Sequence, residues 1–271
     1  NQLMNKFSLD FRFSENLDYK FFPKPHFIIK DSSIVSKNVE VSKIKRLSIF
    51  ISLDSLYSLK KISINNVIIE NTNFKLNKKN ANFFIKLLDN NFVKSSFNIK
   101  DSNVFFNSKE NEVLFINKIL NMKYFYDPKE LKNIMSSENK IFNIPYSLSS
   151  FIDNKNQKIF SKINLDFLKL QIENEINYVN DVKEGFATVT LNKNKSKATY
   201  ELDKNNFIFN YYDKINKPKY YYEGKINFNP FYSLFEGKVY KINLANFFRV
   251  NSFFVQLLKS EILNNKNLNI D

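Results

Sequence analysis

Between Ile159 and Phe228 apolar and polar residues alternate, and this period of two constrains the fold more than any other feature of the chain. Ile163, Leu165 and Phe167 alternate, followed by Leu168, Leu170 and Ile172 in the opposite phase. Ala187, Val189 and Leu191 come next, then Ala198, Tyr200 and Leu202, then Phe207, Phe209 and Tyr211. The clearest run sets Tyr220, Tyr222, Gly224, Ile226 and Phe228 against Lys219, Tyr221, Glu223, Lys225 and Asn227. Successive side chains of a strand point to opposite faces, so each run reads as a strand with one apolar and one wet face. A slip of one residue exchanges the faces, so the phase change at Phe167–Leu168 predicts a β-bulge. Leaving that many apolar faces in water is costly, at about 25 cal/mol per Å². Three architectures answer the cost: a β-sandwich, a closed membrane barrel, or a long curved antiparallel sheet whose concave apolar face holds something greasy.

The N-terminal half adds repetition. FIIKDSSI (Phe27–Ile34), ISINNVII (Ile62–Ile69) and FNIKDSNV (Phe97–Val104) share a pattern, and Ile29, Ile64 and Ile99 recur at intervals of 35 residues. A fixed period marks stacked units, and each copy reads as a strand running into an Asp/Asn/Ser turn. Leu53–Lys61 and Phe228–Gly237 echo each other more faintly through a shared Tyr-Ser-Leu. Phe7–Phe13 and Leu47–Leu53 alternate as strands, and Leu17, Tyr19 and Phe21 form another that Pro23 and Pro25 end. Val113–Ile119 and Lys123–Tyr126 read as two further strands. Helices are expected at Asn80–Phe92, where Phe83, Phe84, Leu87 and Leu88 make a stripe, and after the Asp127-Pro128 cap, with Leu131, Ile134 and Met135 inward. A third carries Phe254, Val255, Leu258 and Ile262, and Asp54–Leu59 suggests a short helical turn. No linker is visible, so the domain boundary is soft. Residues 1–120 hold the repeats and one helix; residues 121–271 continue the antiparallel sheet with two helices.

Composition narrows the chemistry. The net charge of +14, from 41 Lys and Arg against 27 Asp and Glu, invites a nucleic-acid reading. The lysines are spread over polar strand positions and turns, however, and only Lys43, Lys45 and Arg46 cluster. No specific nucleic-acid binding is therefore expected, and attraction to anionic lipid headgroups is the better use of the charge. Cys is absent and His26 is the single His, which argues against thiolate chemistry, a zinc site or a Ser-His-Asp triad. Three glycines leave no phosphate-cradling loop, and the carboxylates do not converge. No enzyme, cofactor or metal is expected. No apolar run reaches the roughly 18 residues of a spanning helix. Because the sequence opens on Asn1 and closes on what reads as the start of a strand, a longer parent protein is expected.

Leu17–Ile34, Val41–Leu59 and Lys61–Leu76 together resemble the AsmA family of envelope proteins. The order of elements carries the likeness: Phe22-Pro23 closing a strand, an apolar strand with Asp31, a strand at Leu47–Leu53, a leucine-rich turn, and a strand at Ile62–Glu70. The stretch from Phe235 to the C-terminus is also similar, whereas Asn107–Asn205 matches only in texture, and Lys60-Lys61 stands where a glycine turn is typical. The resemblance implies a periplasmic body anchored to the bacterial inner membrane by an upstream helix. It also implies a groove of stacked β units that conducts phospholipid toward the outer membrane or supports outer-membrane assembly, and other envelope proteins as partners. It carries no catalytic residue. Phe207, Phe209, Tyr220, Tyr222, Ile226 and Phe228 are the candidate lining of an acyl-chain groove; the same residues would equally fill a sandwich core. The rival function is a structural or assembly protein that pairs its sheet edges with partner strands. A hydrolase of envelope polymers stands third and lacks convergent carboxylates.

Overall fold

The computed structural model describes residues 3, 7, 9–36, 39–52, 63–77, 80, 83–107, 113–191, 194–212, 220–228, 231–239 and 255. Among these the protein is mainly β, with sixteen strands and one short α-helix. It divides into two compact units, one centred on Asn1–Asn143 and the other spanning Ile144–Asn264. Leu120, the soft boundary read from sequence, lies inside a strand.

The first unit contains β1 (Asp10–Arg12), β2 (Leu17–Lys20), β3 (His26–Ser36), β4 (Val39–Ile51), β5 (Ile64–Leu76), α1 (Phe83–Leu88), β6 (Ser96–Asn107), β7 (Val113–Asp127) and β8 (Lys132–Ile141). Strands β3 to β8 lie in chain order, with β1 and β2 both pairing β3. All pairs are antiparallel except β5–β6, which are parallel. A parallel pair needs a crossover, and α1 lies on the one between them. The apolar stripe thus does make a helix, and Phe83, Leu87 and Leu88 are buried. They join a core in which Leu47, Ile69 and Ile99 form one cross-strand row and Val67, Phe97 and Tyr124 the next. Phe7 is helical, not part of a strand, and its ring packs on Phe92 (6.1 Å) and Phe97 (5.6 Å). Asn90 closes this corner by donating from Nδ2 to the Phe7 carbonyl at 3.0 Å.

The repeat is real but differently spaced. Asp31, Asn71 and Asp101 all adopt left-handed backbone, with φ of 54°, 54° and 45°. The equivalent stretches are therefore Phe27–Ile34, Val67–Phe74 and Phe97–Val104, at intervals of 40 and 30 residues instead of 35. Nor does the Asp/Asn-Ser/Thr pair end the strand, since β3, β5 and β6 run straight through it. The left-handed residue makes two inward positions three apart, so Ile29 is followed inward by Ser32, Ile69 by Thr72 and Ile99 by Ser102. Asp and Asn tolerate this conformation because their short polar side chains bond locally. At β5 and β6 the buried hydroxyl bridges the disturbed ladder: the Thr72 amide donates to Ser102 Oγ at 3.1 Å, and Ser102 Oγ donates to the Lys100 carbonyl at 2.7 Å; Ser32 Oγ has no partner among the described residues. On the partner strands, pairing also passes over Lys45 and Leu120. One line of phase change thus crosses five strands.

Two more expectations are corrected here. Asp127-Pro128 starts a hairpin turn, not a helix; the Asp127 carboxylate accepts the amides of Lys129 (2.8 Å) and Glu130 (3.4 Å), and Ile134 and Met135 belong to β8. Its Asp is an equally good turn opener, and Leu131, the intended inward residue, is 74% exposed. Val113–Ile119 and Lys123–Tyr126 are one strand, β7. Against about three expected helices, α1 is the one α-helix with a described range; Leu3, Phe7 and Val255 are helical as single described residues, and the Asp54–Leu59 turn and the rest of the C-terminal helix lie outside the described residues.

The second unit is an antiparallel meander: β9 (Ile144–Asp153), β10 (Lys158–Leu165), β11 (Leu170–Asn177), β12 (Lys183–Leu191), β13 (Asn194–Leu202), β14 (Asn206–Tyr212), β15 (Tyr220–Phe228) and β16 (Phe231–Val239). The phase change at Phe167–Leu168 is no bulge. It is a tight 3₁₀ turn, Asp166–Leu168, closed by left-handed Lys169, and the two opposed runs are neighbouring strands with Leu165 opposite Leu170. The two units bury their apolar residues differently. The first has a dense core, while the buried apolar side chains of the second are Ile144, Leu168 and Ala187 among those described.

Candidate functional site

The second unit's apolar face is assembled by strand register. One cross-strand row runs Ile152, Ile159, Ile176, Gly185, Tyr200, Phe209, Gly224, Phe235. The next runs Ser150, Ser161, Asn174, Ala187, Ala198, Tyr211, Tyr222, Gly237. Directly opposed residues share a face, so both rows belong to one surface. Over β11 to β16 this surface forms a concavity of about 680 Å³. Ile172, Val189, Tyr200, Phe207, Phe209 and Phe235 are among its lining.

All three glycines of the chain serve this surface. The Tyr200 ring lies where a Cβ on Gly185 would be, 2.0 Å from that position; the Phe209 ring lies 2.4 Å from it at Gly224, and the Tyr222 ring 2.8 Å at Gly237. A side chain on any of these glycines would lift the ring off the sheet. With glycine there, the aromatic rings lie flat across the neighbouring strand and pave a smooth apolar floor. Tyr200 reaches right over β12, so that its hydroxyl donates to Asn174 Oδ1 on β11 at 2.6 Å. Tyr211 likewise donates to Ser196 Oγ at 2.8 Å. Both phenols spend their polar ends within the sheet and present ring faces outward. Burial pushes the Tyr200 hydroxyl's pKa up, and the Asn174 bond opposes this in part. Ring contacts continue the floor from Tyr200 to Phe207 (5.4 Å), Phe207 to Phe209 (5.9 Å) and Phe209 to Phe235 (5.9 Å).

The opposite face is polar, with Lys158 paired to Glu175 and Lys162 to Glu173 (3.1 Å). Its apolar content is local, chiefly the Phe151–Phe160 stack at 5.0 Å.

Of the residues named from sequence, Phe207, Phe209 and Tyr222 line the concavity. Ile226 shares their face opposite Phe207, outside the lining. Tyr220 and Phe228 occupy β15, but their side chains lie outside the described residues. Sequence reasoning passed over Tyr200, Tyr211 and Phe235. The first two alternate as cleanly as Phe207 and Phe209; what selects them is register, which puts them beside a glycine or a small residue on the next strand. Three glycines in 271 residues, each in an alternating run, were the available signal.

Among the described residues no group of acidic, His or Cys side chains is placed to hold a metal ion. Among them, too, no helix is long and apolar enough to cross a membrane. The chain matches no protein-family model, and no curated protein matches it.

Proposed function

We propose that this is a non-enzymatic, lipid-handling protein of the bacterial envelope, and that the aromatic-paved face of β11–β16 is a groove for phospholipid acyl chains. The observation that carries this reading is a broad apolar concavity whose rings are only partly buried and in which the Tyr200 and Tyr211 hydroxyls are already bonded within the sheet. The lining is mostly apolar, with Asn174 engaged by Tyr200 and Glu223 and Glu236 on its β15–β16 side, and such a surface suits a hydrocarbon that is held by area and not by pattern. The resemblance to the AsmA family supplies the setting: a periplasmic body anchored at the inner membrane, passing phospholipid toward the outer membrane and supporting its assembly. The curved, groove-like sheet belongs to this proposal.

Mass spectrometry of organic extracts of the purified chain tests it. Near-stoichiometric phospholipid is expected, lost in a Phe209→Asp, Tyr222→Asp double variant that keeps its strand signal in circular dichroism. A folded, lipid-free wild-type chain would refute the groove.

One observation favours the assembly reading as the second choice: residues 232–238 of β16, the last strand of the meander among the described residues, are exposed on both faces. An accessible terminal strand is a template for strand addition. Recovery of a bound protein in place of lipid would select this reading.

A further inference from the structure

A second apolar surface lies on the first unit, remote in sequence from the groove. Phe13, Leu17, Tyr19, Phe21 and Phe22 are all exposed, Phe22 to 81%. Phe21 and Phe22 form the tip of the β2–β3 hairpin, edge to face at 5.5 Å, and Tyr19 packs against Phe27 at 5.2 Å. The tip reads Lys20-Phe21-Phe22-Pro23-Lys24, with a basic residue on each side of the aromatic pair. Five large apolar side chains within ten residues are more than the scattered exposure of an ordinary surface, and such patches mark interaction sites.

Part of the backbone at this tip has no free polar group to solvate. Pro23 and Pro25 carry no amide hydrogen. The Pro25 carbonyl accepts the Ile51 amide at 3.0 Å, and the Lys24 carbonyl accepts from His26 Nδ1 at 2.7 Å, so that Nδ1 bears the proton. Unsatisfied backbone groups make insertion into lipid costly, and these two prolines and two engaged carbonyls reduce their number at the tip. The base of the hairpin is tied down as well: Ser14 Oγ donates to the Lys30 carbonyl, and the Lys30 amide donates to the Asn16 carbonyl at 3.4 Å. The tip is presented, not left to collapse.

We infer that the β2–β3 hairpin tip is a membrane-interface wedge: Phe21 and Phe22 enter the headgroup–acyl boundary while Lys20 and Lys24 meet anionic headgroups. Aromatic side chains favour that boundary, and lysines beside it gain from the negative surface potential. Glu15 and Asp18 lie within the same stretch and offset part of this charge, while the chain's net +14 favours an anionic surface. A bilayer is the occupant this composition fits. The lysines on both sides of the aromatic pair complement the anionic headgroups of such a surface. The wedge is independent of the groove; it serves a lipid-handling protein by bringing it to its donor or acceptor membrane.

Sedimentation with vesicles of phosphatidylcholine, with and without phosphatidylglycerol, tests the inference on the purified chain. Wild type is expected to bind the anionic vesicles, and Phe21→Ser, Phe22→Ser to weaken binding by roughly tenfold or more. Lys20→Gln, Lys24→Gln is expected to weaken the preference for anionic vesicles and to reduce its salt dependence. Val179→Ser, at an exposed apolar residue between β11 and β12 and outside the groove lining, should leave vesicle binding unchanged. Absence of wild-type binding overturns the wedge, as does binding indifferent to the aromatic pair or following Val179 instead. A chain that is dimeric without vesicles and becomes monomeric on Phe21→Ser, Phe22→Ser also overturns it, because a second copy would then cover the tip.

Discussion

Tyr124 shows how narrowly the core of the first unit is specified. Its ring is fully buried between Phe92 (6.0 Å) and Phe97 (6.1 Å), and its hydroxyl has no hydrogen-bond partner among the described residues. A buried hydroxyl without a partner costs about 1–3 kcal/mol. Burial also pushes its pKa above the ordinary tyrosine range. With the folded pKa above the unfolded one, the folded state keeps its proton longer, so stability is intact below the unfolded value of about 10 and falls as pH rises past it. Tyr124→Phe removes both liabilities. Urea unfolding should show a gain of about 1–2 kcal/mol at neutral pH and a shallower loss on the alkaline side. A loss of stability on this substitution would mean the hydroxyl is bonded after all.

At the scale of elements, the left-handed line through β3, β5 and β6 decides which side chains face the core. Asp101 sits in a conformation that costs most residues about 1–2 kcal/mol and glycine nearly nothing. Asp101→Val should therefore destabilise by about 2 kcal/mol or more, because a β-branched side chain fits worst there. Asp101→Gly should stay within about 1 kcal/mol of wild type. Chemical denaturation followed by circular dichroism separates these outcomes; equal losses would show that the aspartate side chain, not the backbone, matters. The same line explains why the repeat is misread from sequence at a 35-residue interval. In ISINNVII the Asn65-Asn66 pair mimics the signature, but the residue with positive φ is Asn71. Apolar-x-x-polar spacing alone does not say which Asn turns left-handed; the hydroxyl that follows it at Ser32, Thr72 and Ser102 does.

At the scale of the whole molecule, the two units respond differently to the same kind of change. Phe97→Ala empties a fully buried site and should cost about 3–5 kcal/mol. Phe209→Ala removes a half-buried ring from an open floor and should cost about 1–2 kcal/mol, since part of that area is already wet. Thermal melts of both variants check this. A loss at Phe209 as large as that at Phe97 would mean that the floor is a covered core and not a groove. Phe207, Phe209 and Tyr222 were legible as one face from alternation, while Tyr200 and Phe235 entered only through the rows they complete.

What the sequence determined by itself is local. Period-two alternation gives the strands of the second unit and the identity of their two faces, and the 83/84/87/88 stripe gives the one helix. The tertiary structure decided everything that depends on a neighbour. Whether Asp127-Pro128 opens a helix or a hairpin, whether Leu165 and Leu170 sit along one strand or across two, and whether β5 and β6 run parallel are questions of pairing partner. So is the role of glycine at 185, 224 and 237, where the missing side chain matters only because a ring from the next strand lies in its place. The physical reason is that backbone periodicity is written residue by residue. Register and burial are set by contacts between segments far apart in the chain, and no single segment encodes them.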